Sequence, residues 1–556
     1  MLQTLYPFLA WCPMPHEPNV LVSEMDPSSL AAACRPATFS PSVFGAEMLA
    51  VEANLVTNYS ATALDAYRFV APSAELQNAT FCNVTVSYTH PGQDDNIIVE
   101  SWLPVSSDWN GRFQAVGGGG MVAGRTFLSY QAMIGALADG FATSTTDAGL
   151  GFASDASPWA LESPGNVNLY NLQNLASVSL DDQAVIGKSL INSFYGRGPD
   201  YSYWTGCSQG GRQGLMLAQR YPTAYDGIIA GSPGIYWTEF FPIGQWPQQI
   251  MNELHYYPYG CEIDAITAAA ISACDGLDGV VDGVITHIDH CLSTFDPFSI
   301  VGQSVKCAQL NSTEVKVSKQ AAIVTNATWH GTTTAKGKQT WYGLNPGADL
   351  TGDSPTSYGL PGYAATNCTE TGCVGVPTLL GVQWLQLFVA RDPDKSLTNL
   401  SRSEFDDLVH GSTQLYSSII STSDPDLSRF REAGGKVISF HGLADNVVPT
   451  KGTEKYYNAV SGLLPNTHDF YRYYEVPGLS HCFGGASGQP DQLFSQLRDW
   501  VEHGIAPEST PVKLTVAEEE HNRILCPYPQ ISCFNSVCGD AAKAECWSCA
   551  TACSPK

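Results

Sequence analysis

The chain has 556 residues, 44% apolar and 14% charged, with a formal charge of −26 and a pI near 4.7. It is too long for one compact core, since single cores stop growing near ~250–300 residues. The acidic surface disfavours nucleic acid and anionic membrane as partners, because both repel it. No run of about 18 apolar residues marks a membrane helix.

Seventeen cysteines and seven N-x-S/T sequons (Asn58, Asn78, Asn83, Asn311, Asn326, Asn367, Asn399) read as a secreted, disulfide-bonded glycoprotein. The opening "MLQTLYPFLAWCP" has a short apolar run but no basic stretch before it and no clear cleavage site, and reads either as a weak signal peptide or as a sign that the true start lies elsewhere. Secretion is therefore expected from cysteines and sequons. Residues 1–30 are set apart as an N-terminal segment.

From about Asn96 the chain alternates strand-like runs with glycine clusters: "NIIVESWLP", "RFQAVGGGGMVAG" and "GALADGFATSTTDAG". "DDQAVIGKSLINSFYG" has helical spacing, "YSYWTG" reads as a strand, "RQGLMLAQRY" as a helix and "YDGIIAGSPG" as a strand. This alternation predicts an α/β fold with a parallel sheet. Residues 235–429 are richer in aromatics, cysteines and polar loops and are expected to form a lid inserted into the core. The α/β texture resumes in "GGKVISFHGLADNVVP" and "DFYRYYEVPGLSHCF". The core is thus expected over 31–234 and 430–525, with a cysteine-rich tail over 526–556.

The strand "YSYWT" and the helix after it flank "GCSQGG", a G-x-S-x-G turn. That setting lifts a serine hydroxyl clear of a sheet and aims it at substrate, which points to Ser208 as nucleophile. A serine needs a base and the base an orienting carboxylate, in the chain order Ser, acid, His on this fold. Asp445, after "KVISF", fits the acid. His481, after "YRYYEVP", fits the base. His441 precedes the acid and is assigned a structural role. Backbone N–H donors for an oxyanion are expected at Gln209 and in the glycine run, at Gly118 and Gly119. Cys207 precedes the serine and Cys482 follows the histidine. If Ser208 and His481 meet, these neighbours fall within disulfide reach and staple the two loops.

"GCSQGGRQG", "GGGG", "HGLADNVVP" and "PGLSHC" together resemble the fungal tannase and feruloyl esterase family, which includes bacterial relatives that cleave terephthalate monoesters. The resemblance runs from about Cys34 to Cys526. It implies an α/β-hydrolase core with a lid and a Ser208–Asp445–His481 triad. It also implies the bridges Cys207–Cys482, Cys274–Cys291, Cys34–Cys82 and Cys261–Cys307. Cys368 and Cys373 would close a small loop. Cys12 is left as the unpaired thiol. Gln209, where tannases carry Asp, leans the chain toward feruloyl esterases.

"CDGLDGVVDGVITHIDHC" sets Asp275, Asp278 and Asp282 in a glycine-rich loop, which suits a hard cation such as Ca²⁺ in a structural role. Thr286 stands where an EF-hand needs Glu. The resemblance adds the carbonyls of Val280 and Val284 as ligands. No organic cofactor is expected. In "LLGVQWLQLFVARDP", Trp384 and Phe388 at i, i+4 are candidate contacts to an aromatic acid, although that spacing more often marks plain core packing. The reading is a serine carboxylic ester hydrolase acting on hydroxycinnamate or related aromatic esters, small molecules or plant cell-wall components. The alternatives are a galloyl ester hydrolase, a secondary-metabolite esterase, and a binding module with no activity.

Overall fold

The computed structural model describes residues 27–354, 361–369, 372–516 and 519–553. The leader-like start and Cys12 lie outside them. Among the described residues nine strands form one sheet: β1 (Glu47–Ala63), β2 (Ala74–Thr89), β3 (Ile97–Pro104), β4 (Arg112–Val116), β5 (Ala142–Thr146), β6 (Tyr201–Cys207), β7 (Gly227–Gly231), β8 (Lys436–Gly442) and β9 (Tyr471–Val476). Their spatial order is β1-β2-β3-β5-β4-β6-β7-β8-β9. The first three strands pair antiparallel, and β3 meets β5 antiparallel. From β5 to β9 every pairing is parallel. This is an α/β-hydrolase sheet.

The parallel strands read as continuous apolar runs because helices cover both faces. β7, β8 and β9 are buried almost throughout. The covering helices include α1 (Phe127–Ala138), α2 (Ser179–Tyr195), α3 (Gln209–Arg220), α4 (Thr450–Leu463) and α5 (Leu493–His503). Two sequence expectations change here. "GALADGFATSTT" is not one strand-like run: Gly135–Ala138 ends α1, and only Ala142–Thr146 is strand. The long β1–β2 hairpin precedes the region in which strands were expected.

Between β7 and β8 the chain leaves the sheet and builds the insert, mostly from helices and short two-stranded pieces. The hairpin Thr510–Val516/Glu519–Leu525 also lies outside the central sheet. It packs both on the tail hairpin Ile531–Phe534/Trp547–Ala550 and on β9 at the edge of the sheet. Among the described residues eight disulfides are formed. Five are the pairs expected above: Cys34–Cys82, Cys207–Cys482, Cys261–Cys307, Cys274–Cys291 and Cys368–Cys373. Three staple the tail: Cys526–Cys549, Cys533–Cys553 and Cys538–Cys546. Among the described residues no helix is long and apolar enough to cross a membrane.

Candidate active site

Ser208 sits on the turn between β6 and α3 with φ 62° and ψ −119°, a conformation that L-residues rarely adopt. Glycine makes the turn possible. A Cβ on Gly206 would lie 2.5 Å from the carbonyl carbon of Gly210, so strand and helix could not approach so closely with a side chain there. The Ser208 N–H donates to the Gly231 carbonyl at 2.9 Å and ties the turn to β7. Its side chain faces a cavity of about 420 Å³ at the C-terminal ends of the parallel strands, where α/β sheets place their ligands.

Asp445 follows β8 and is fully buried. Burial opposes its ionisation. The charge of His481 and hydrogen bonds from His441 and His481 outweigh that and hold the carboxyl well below the usual carboxylate range. One oxygen accepts the backbone N–H groups of Val447 and Val448 at 2.8 Å each. The other receives Nδ1 of His481 at 2.8 Å and Nε2 of His441 at 3.0 Å. His441 Nε2 also faces the Val448 carbonyl at 3.1 Å. Two acceptors around one nitrogen require the proton there, so His441 donates to the carboxylate and supports it. His481 keeps its Nε2 edge for the cavity, which it lines with Ser208. The Cys207–Cys482 bond, with 6.0 Å between Cα atoms, joins the two loops directly beside these residues.

The glycine run Gly117–Gly120 follows β4 and docks on the serine turn: Gly210 N–H donates to the Gly118 carbonyl at 3.1 Å. Gln213 of α3 holds this run at two points. Its Oε1 accepts the Gly118 N–H at 3.0 Å and its Nε2 donates to the Ala123 carbonyl at 2.9 Å. The Gly118 N–H is therefore committed, which removes Gly118 from the expected oxyanion donors. The N–H groups of Gly119 and Gln209 have no protein partner among the described residues. Sequence reasoning missed Gln213. Its signal was its place in "GGRQG", a long polar side chain in the second turn of the helix that leaves the serine.

Arg212, in the same stretch, is fully buried and has no carboxylate partner among the described residues. It donates to Gln209 Oε1 at 2.6 Å and to the carbonyls of Ala176 and Leu175 at 3.0 and 2.9 Å. Burial pulls its guanidinium down to about 9.

The insert roofs the cavity with Phe240, Phe241, Tyr363, Leu379 and Leu380. It also grips the acid loop. Asn345 Nδ2 donates to the Leu443 carbonyl at 2.9 Å, and the Tyr363 hydroxyl donates to the Val447 carbonyl, on either side of Asp445. Trp384 and Phe388 do not line the cavity. Both are fully buried in the insert, stacked on each other at 4.9 Å, with Trp384 Nε1 donating to Ser412 Oγ. The i, i+4 spacing here marks packing, and from this stretch it is Leu379 and Leu380, one turn earlier, that line the cavity.

The acidic loop lies apart from this cavity. Asp275 accepts the N–H groups of Asp282 and Gly283 at 2.9 Å each. Asp278 accepts the Val280 N–H at 3.0 Å and the Thr286 hydroxyl at 2.9 Å. Arg523, from the hairpin after the core, donates to Asp282 at 2.7 Å and to Asp278 at 2.9 Å, its guanidinium 3.8 Å from the Trp547 ring centre. Among the described residues no three acidic, His or Cys side chains form a ready metal cage. Oxygen-only donors nonetheless suit a hard cation. The buried Oδ1 of Asp282 lacks a hydrogen-bond partner, and the one guanidinium pairs with two of the three carboxylates, Asp278 and Asp282.

The profile of the family described as "Tannase and feruloyl esterase" matches residues 82–550. A probable feruloyl esterase of Arthroderma benhamiae is 36% identical over 86% of this chain and 88% of its own length. A tannase of Aspergillus oryzae is 30% identical over 84% of this chain and 86% of its own. Among solved structures, a tannin acyl hydrolase from Aspergillus niger superposes with a TM-score of 0.82 at 29% identity, covering 94% of this chain and 95% of that one.

Proposed function

The chain belongs to the tannase and feruloyl esterase family and is a carboxylic ester hydrolase; on that premise we propose that it is a secreted serine esterase of aromatic acids, with Ser208, Asp445 and His481 as its triad. The observation that carries this reading is the 2.8 Å bond from His481 to a fully buried Asp445, with His481 and Ser208 facing one cavity.

Ser208 Oγ attacks the ester carbonyl as its proton passes to His481 Nε2. The N–H groups of Gln209 and Gly119 receive the oxyanion. Collapse of the tetrahedral intermediate breaks the bond to the alcohol, which leaves with the proton from His481. A water activated by the same histidine then attacks the acyl-enzyme, and the acid departs with Ser208 restored. Asp445 stays ionised throughout and stabilises the imidazolium.

The acyl group fits a hydroxycinnamate better than gallate. The cavity is mainly apolar, with Val116, Leu128, Phe240, Phe241 and Leu380 in its walls, and its buried unpartnered polar atoms, Gln114 Oε1 and Thr378 Oγ1, are fewer than three adjacent hydroxyls would need. The likeness to the tannin acyl hydrolase keeps galloyl esters as the second reading. Initial rates on methyl ferulate and methyl gallate separate them: kcat/KM is expected to favour ferulate by about tenfold or more. A preference for gallate would reverse the assignment.

Calcium completes the proposal. Asp275, Asp278 and Asp282 with the carbonyls of Val280 and Val284 would hold it, Arg523 keeping one oxygen of Asp278 and of Asp282. The ion would supply charge that joins insert to tail and take no part in the reaction. The orphaned Asp282 oxygen supports this. Chelation with EDTA is expected to lower Tm by several degrees, restored by added Ca²⁺. An unmoved midpoint, with no calcium found by elemental analysis, would contradict it.

A further inference from the structure

At the mouth of the cavity three rings stand edge to face. Phe483 lines the cavity, two residues past His481. Its ring meets Tyr67 at 5.7 Å and 70°, and Tyr67 meets Phe127 at 5.1 Å and 83°. Tyr67 and Phe127 directly precede Arg68 and Leu128, which also line the cavity. The ladder therefore starts inside the site and ends at the surface, where Phe127 is 61% exposed. Phe127 spends one edge on Tyr67 and leaves the rest of its ring in water, where a flat apolar group could cover it.

Direction decides what the ladder serves. His481 must give its proton to the departing alkoxide, so the alcohol half of the ester leaves on the histidine side. Phe483 belongs to that same loop, on the far side of Cys482. Two polar side chains nearby are already engaged. The Arg68 guanidinium is held by Asp139 and the Pro72 carbonyl, and the Gln131 carbonyl accepts the Leu64 N–H at 3.4 Å. A sugar would find few hydrogen-bonding groups here, whereas a flat ring finds edges and faces to stack on.

Resting on the esterase reading above, we infer that Phe483, Tyr67 and Phe127 form a subsite for the alcohol half of the ester and that it takes an aromatic alcohol. Methyl ferulate and benzyl ferulate give the same acyl-enzyme, so the subsite is read in the acylation step through kcat/KM. Wild type is expected to prefer benzyl ferulate. Phe127→Ala, at an exposed position with little folding risk, is expected to lower the benzyl-to-methyl ratio of kcat/KM by about threefold to tenfold, in line with the worth of one aromatic contact. Tyr67→Leu should lower it in the same direction. If both esters are cleaved and neither variant moves the ratio, this inference fails while the esterase reading stands. A larger loss on an arabinosyl ferulate than on the benzyl ester would likewise overturn the aromatic assignment in favour of a sugar. Should no ester be cleaved faster than by Ser208→Ala, the esterase reading fails and the subsite with it.

Discussion

Asp445 shows how a buried charge is kept ionised. Its desolvation is offset by two imidazoles and two backbone N–H groups, all within about 3 Å. His441 is the part of that shell placed away from proton transfer, so its removal should act on the reaction chiefly through Asp445 and the acid loop it holds at Val448. His441→Ala is expected to lower kcat by about tenfold to a hundredfold, the worth of one charge-assisted hydrogen bond, with KM nearly unchanged. A KM effect as large as the kcat effect would show that the cavity itself had collapsed. The candidate triad was legible in the sequence because each member follows an apolar strand and the fold fixes their order. The bond from His441 was not, since it depends on how a loop curls back four residues later. Gly118 was misjudged for a similar reason: only the structure reveals that a glutamine on the next helix takes its N–H.

At the level of elements, the disulfide beside Ser208 and His481 joins segments 275 positions apart. Loop closure on that scale restricts the unfolded chain more than any other bridge here. Replacing Cys207 and Cys482 together by Ala is expected to lower stability by about 2–4 kcal/mol and to reduce kcat, because the histidine loop loses its anchor. Unchanged Tm and kcat would leave the bond idle. This staple was readable from two cysteines flanking two candidate residues. The β1–β2 hairpin was not, because register shifts between Met48 and Ala50, Val56 and Tyr59, and Tyr59 and Ala61 break the alternation that marks a strand. Trp384 and Phe388 mislead in the other direction. Their spacing does place them on one face, but that face turns into the insert, where a π-helical turn from Trp384 to Ala390 packs them on Tyr416.

Across the whole molecule, acidity shapes stability as well as partners. Burial raises Glu475 to about 7, with Glu454 adding to it, and burial raises Asp264 to about 7, with Asp349 and Asp353 adding. A carboxyl whose folded pKa exceeds its unfolded value near 4 binds its proton more tightly when folded, so it stabilises the protein as pH falls from above 7 toward about 4. Asp445 acts with the opposite sign: its contribution is present above about pH 4 and is lost in stronger acid. Tm is therefore expected to be a few degrees higher at about pH 5 than at about pH 8, with Glu475→Gln flattening the slope. A Tm that rises with pH over that range would contradict the assignment. The same protein supplies the most direct test of the central claim, the hydrolysis of methyl ferulate by wild type and by Ser208→Ala at matched folding. Wild type should turn the ester over and form a feruloyl-enzyme on Ser208, with the variant about 10⁴-fold slower or worse. Equal rates for the two proteins would contradict a serine esterase built on Ser208.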